Sequence, residues 1–180
     1  MAFARRLRSR AADKPARLLY GAIVGQSRRS EFFLEARVPD TLDGRFELLA
    51  LNVFLVLDRL GSASAPAPTL AQALFDELVV QLDRSMREMG TGDLGVGRRV
   101  KAMAAGYYGR ARAYEAGLAK GDDALTAALE RNLYGTVEPE QAHLVAIANY
   151  LRREAAALGR QETAGLLAGD LAFGPAPGAV

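Results

Sequence analysis

Asp40-Thr-Leu-Asp-Gly-Arg-Phe-Glu-Leu-Leu-Ala-Leu-Asn-Val-Phe-Leu-Val-Leu-Asp-Arg-Leu60 is the stretch that decides the fold. Leu42, Phe46, Leu49, Val53, Leu57 and Leu60 recur three or four apart, the spacing of one face of an α-helix. Leu48, Leu51, Phe54 and Leu55 fill the other sides, so polar residues survive mainly along a stripe through Arg45, Asn52 and Arg59, seven apart. A helix apolar nearly all round must be buried between neighbours. Residues of about 41–60 are therefore the hub of an all-α fold, with Asp40 or Thr41 as the N-cap.

Working outward, the same period continues in both directions and strands are nearly absent. Asp13 with Pro15 opens a helix to about Arg29. Ser30 can cap a short piece that Val38-Pro39 ends. Gly61–Pro68 is a small-residue loop, after which Thr69-Leu-Ala-Gln72 matches a capping box and starts a helix to about Met89, with Gly90 as its C′ residue. Further helices are expected over about 95–119, from Asp122 to Gly135, and from about Glu140 to Leu158. The pattern predicts an irregular bundle of about six helices. It divides into a basic arm (1–12), a single helical domain (13–172) and a frayed Gly/Pro-rich tail (173–180).

Composition removes several classes of function. There is no cysteine, which excludes a disulfide scaffold, thiolate catalysis and Cys-ligated metals. His143 is the single histidine, so no metal site with two imidazoles can form. The longest apolar run, Phe46–Leu57, is too short for a bilayer span and contains Glu47 and Asn52. The basic N-terminus lacks the apolar region of a secretory signal; it looks like a mitochondrial transit segment, but the Ala/Arg/Gly-rich composition fits a GC-rich bacterium better. A cytoplasmic location is expected, with peripheral contact at the inner face of the inner membrane. The net charge of +2 hides alternating blocks: +7 over residues 1–30, −6 over 31–95, +5 over 96–120 and −4 beyond. Basic helices lying on acidic ones account for this, and an anionic partner (lipid headgroups or RNA) is the alternative.

No catalytic constellation emerges. His143 with Glu140 lacks a nucleophile and reads as a surface or packed side chain. Asp40 and Asp43 stand where an N-cap and a helix dipole explain them. Gly90–Gly97 could cradle a phosphate on spacing alone, but no strand precedes it and Asp93 opposes an anion, so it reads as a turn between helices. Gly106 and Gly109 inside a helix cost about 1 kcal/mol each relative to Ala, which points to something packed on that face, a partner or a neighbouring helix. Tyr108 and Arg110 are expected to offer an amphipathic contact surface there.

Three groups of residues carry a family resemblance. They are Val38-Pro-Asp-Thr-Leu-Asp-Gly-Arg-Phe-Glu-Leu-Leu49, then Met86-Arg-Glu-Met-Gly90 with Gly92-Asp-Leu-Gly-Val96, then Tyr107-Tyr-Gly-Arg110 with Tyr114 and Asn132-Leu-Tyr-Gly135. In this order they resemble the ubiquinol–cytochrome c chaperone family, over about Leu18–Gly135. The resemblance implies a non-enzymatic assembly factor, without cofactor or metal, that binds newly made or partly assembled cytochrome b for ubiquinol–cytochrome c reductase. Mitochondrial relatives of the family work with a small accessory protein and bind near the ribosomal exit tunnel; DNA is not an expected partner. The candidate partner-binding residues are Asp40, Asp43, Arg45, Arg98, Arg99, Lys101, Tyr108 and Arg110. A groove beside the basic 96–120 helix is expected to hold the client. The rival reading is a peripheral membrane-surface or RNA-binding module that uses the basic N-terminal and 96–120 segments.

Overall fold

The computed structural model describes residues 2–88 and 93–178, with side chains described for 11–88, 95–98 and 100–178. It is all-α, with six long helices and two short ones: α1 (Ala2–Ser27), α2 (Glu31–Leu34), α3 (Leu42–Gly61), α4 (Ala67–Glu88), α5 (Asp93–Lys120), α6 (Asp122–Asn132), α7 (Gln141–Arg160) and α8 (Thr163–Ala168). As its composition requires, α3 is the central helix, touching α1, α4, α5 and α7. Twelve of its twenty residues are buried. Around it α1 lies along α4, and α5 lies along α6.

The ends of the helices follow local chemistry. Thr41 rather than Asp40 caps α3: its Oγ1 accepts from the Gly44 amide at 3.1 Å, while Asp40 turns to the Arg45 Nε at 2.6 Å. Gly44 is required here, because a Cβ would collide with the Pro39 carbonyl. Arg37, at φ 53°, ends the α2 turn in the left-handed region. Ser30 occupies the position before α2 but makes no side-chain cap.

Four expectations change. α1 begins at Ala2 and passes through Pro15, so the backbone of the expected arm is helical; residues 2–14 contain no breaker, and one proline removes only one ladder hydrogen bond. α4 starts at Ala67, two residues before the expected capping box, and Gln72 bonds Asp76 instead. Gly109 meets nothing that a Cβ would disturb, and Gly106 only makes room for Arg110; the close approach on α5 is at Gly117, where a Cβ would lie 2.8 Å from Leu125 Cα of α6. The expected tail is docked over 173–178. Gly174 N–H donates to Glu154 Oε2 at 2.8 Å, Gly174 O accepts from Gln26 Nε2 at 3.2 Å, and Ala176 is 1% exposed. The partners of these groups lie on α1 and α7, which sequence spacing cannot bring together. Of the expected turn over Gly90–Gly97, residues 93–97 belong to α5, whereas 90–92 and the side chains of residues 1–10 lie outside what is described.

Candidate functional site: a two-lobed trough at the head of the central helix

The polar stripe of α3 divides the helix into an open head and a closed remainder. Asn52, fully buried, donates to Ser27 Oγ at 3.0 Å and to Leu48 O at 3.2 Å, and it accepts from Tyr150 Oη at 2.7 Å. Tyr150 in turn accepts from Gln26. Arg59 donates to Leu158 O, Gln161 O and Thr163 Oγ1, satisfying carbonyls at the end of α7. Those two residues sew α3 to α1, α7 and α8.

At the head the described residues cover the helix only in part. Two adjoining cavities meet there, of about 480 and 460 Å³, sharing Leu42, Phe46, Met86 and Met103. The first lobe is mainly apolar, with Tyr20 and Val24 from α1, Phe33 and Leu34 from α2, Leu49 from α3 and Leu82 from α4. Leu34 and Leu42, 62% and 50% exposed, stand on its rim. Methionines in the floor suit a surface that must adapt to what it holds, since the thioether chain repacks easily.

The second lobe is polar. Asp43, Glu47, Arg110, Arg131 and Asn132 line it. Arg110 reaches from α5 to buried Glu47 and donates to both carboxylate oxygens through Nε and Nη2. Its guanidinium also lies 5.7 Å from the Phe46 ring centre. Burial pushes the Glu47 carboxyl above the usual range, and the Arg110 fork pulls it back only in part. Nearby, the fully buried Tyr114 hydroxyl has no hydrogen-bond partner among the described residues.

Asp40, Asp43, Arg45 and Arg110 of the expected residues converge on this trough. Arg110 does so as an ion-pair partner of the core, because the buried carboxylate of Glu47 needs its charge, while a quarter of its side chain stays exposed to the polar lobe. Tyr108 is exposed but packs against Phe75 with ring centres 5.3 Å apart, on the other side of α5. Arg98 and Lys101 are exposed outside the trough, and the Arg99 side chain lies outside what is described. His143 is half-buried and meets Glu140 only through a backbone bond of 3.0 Å. No cluster of metal-ligating side chains exists among the described residues. Sequence spacing missed Leu34, Met86, Met103 and Arg131; the one available signal was an apolar Leu34 beside a helix end.

The trough lies largely inside a region that known proteins share. A family model described as ubiquinol-cytochrome C chaperone matches residues 34–173. The chain belongs to this family. Ubiquinol-cytochrome c reductase complex assembly factor 1 from Homo sapiens is 23% identical over 136 residues, covering 76% of this chain and 46% of the human protein. The Xenopus laevis counterpart is also 23% identical, with 76% of this chain and 68% of that protein covered. The chain thus spans about half the length of the human relative. A crystal structure of the Cbp3 homolog from Brucella abortus superposes with a TM-score of 0.82 at 36% identity, over 94% of both chains. The relatives are assembly factors, which agrees with the non-enzymatic reading. No described helix is long and apolar enough to cross a membrane.

Proposed function

We propose that this chain is an assembly chaperone for ubiquinol–cytochrome c reductase, and that the trough at the head of α3 holds a segment of cytochrome b before other subunits cover it. The observation that carries the reading is the trough itself: an apolar floor of Phe46, Met86 and Met103, left open beside exposed Leu34 and Leu42, in a chain of this family. Burying such a floor against an apolar segment contributes roughly 25 cal/mol per Å² before the ordering costs of association, and the polar second lobe sets register. The trough is a groove beside the 96–120 helix on its Met103 and Arg110 side, and Tyr108 lies outside it.

The test is photo-crosslinking in cells from Leu34 and Leu42, with Val145 on α7, also exposed, as the control. Cytochrome b should be captured from the first two positions and not from the third. Deleting the gene should lower the cytochrome b absorbance and the reductase activity together. Equal capture from all three positions, or unchanged cytochrome b, would sink the proposal.

A further inference from the structure

Beyond client binding, a second surface lies on the other side of α5. At 3.6 residues per turn, Lys101 and Tyr108 lie roughly opposite the trough-lining Met103 and Arg110. There α4 and α5 enclose a shallow depression of about 530 Å³, lined by Val79, Val80, Val100 and Ala104. Val80 and Tyr108 stand beside it, 58% and 55% exposed. Asp83 lines the depression from the α4 edge and Lys101 from the α5 edge, and no ion pair joins them.

The charges decide what fits. On the α4 edge are Asp76 and Asp83, the second already paired with Arg87 at 2.7 Å. On the α5 edge Arg98, Lys101 and Arg112 are exposed, with Glu115 beyond them. A bilayer or a nucleic acid presents one sign, so it would meet the basic edge well and set like charge against Asp76 and Asp83. A surface that presents acid opposite the basic edge and base opposite the acidic edge satisfies both, and this face is such a surface.

We propose that two copies of the chain meet on this face, about a twofold axis parallel to α4 and α5. That operation lays α4 of each copy on α5 of the other. Asp83 and Lys101 stand at one level on antiparallel helices, so each comes opposite its counterpart, twice per dimer. Val80, Ala104 and Tyr108 form the seam. The face is small beside the roughly 800 Å² per partner of a standard interface, so the dimer is weak and forms with rising concentration. It leaves both troughs open, on the outer sides of the pair.

Sedimentation of the full chain from micromolar to near-millimolar concentration tests this. The mass should rise from 19.3 kDa toward twice that value. Asp83→Lys and Lys101→Glu should each weaken association by about tenfold or more, since each sets like charges face to face. The double variant Asp83→Lys/Lys101→Glu should recover it, while the melting temperatures of the single and double variants stay alike, which an effect across α4 and α5 within one copy would not give. Val80→Glu, on an exposed position, gives a second disruption, and circular dichroism melts check that every variant is folded. A chain that stays at 19.3 kDa throughout overturns the proposal, as does a double variant no better than the singles. Binding of anionic vesicles that Lys101→Glu abolishes, with the mass still monomeric, reassigns the face to lipid.

Discussion

The two ends of α3 share one polar stripe and use it in opposite ways. Toward the C-terminus, Asn52 and Arg59 are bonded to α1, α7 and α8, and residues 50–56 are all buried. At the head, Arg45 pairs with Asp40, an exposed neighbour, and lies 5.5 Å over the Phe33 ring, and the apolar residues beside it look into open cavities. The same repeat therefore holds the fold together at one end and frees a binding surface at the other. The difference is the number of elements overhead. α7 and α8 cover the far end, whereas the short α2 leaves the head partly bare.

The comparison can be broken most severely at its centre, where Arg110 meets Glu47. Arg110→Met leaves a buried carboxylate without its counter-charge and should cost about 2–3 kcal/mol in urea denaturation, below the full range for deep pairs because a quarter of Arg110 is exposed. Adding Glu47→Gln should recover most of that loss, because the charge that needed a partner is gone. Burial holds the Glu47 proton more tightly in the folded chain than in the unfolded one. The native state therefore binds more protons above the ordinary carboxylate range, and stability falls as pH rises through that window toward the raised folded value. Glu47→Gln should remove this slope; an unchanged pH profile would show that the pair is more solvated than its burial implies.

Asn52→Ala comes next. It removes the acceptor of the buried Tyr150 hydroxyl and the amide donor to Ser27 Oγ, and should cost about 2 kcal/mol, measured by thermal unfolding. Thr41→Ala removes the α3 cap and should cost about 1 kcal/mol, with the head of the helix exchanging its amides faster. Arg45→Ala, the exposed member of the stripe, should cost less than about 1 kcal/mol, from an exposed ion pair and its place over Phe33. If Arg45→Ala proved as damaging as Asn52→Ala, the distinction between the two ends would fail.

Much of the fold was legible because helical period is a local property. The hub could be read from Leu42–Leu60 alone, since a helix without a polar face has nowhere to go but inside. Caps were less legible: Asp40 and Thr41 were equivalent on paper, and the geometry at Gly44 chose Thr41. The site was half legible. Asp40, Asp43 and Arg45 lie beside one another in the chain, so a reading of the head of α3 finds them. Met86, Met103 and Arg131 come from three other helices, and no spacing joins them.

By itself, then, the sequence determined the helices, the hub and the family, because side-chain period and short motifs need only near neighbours. Tertiary structure decided which part of the stripe is buried, that Arg110 pairs with Glu47, that residues 173–178 are docked, and that a trough opens beside Phe46. Those facts depend on how separate helices pack, and packing is set by the fit of whole faces, which no stretch of chain contains alone.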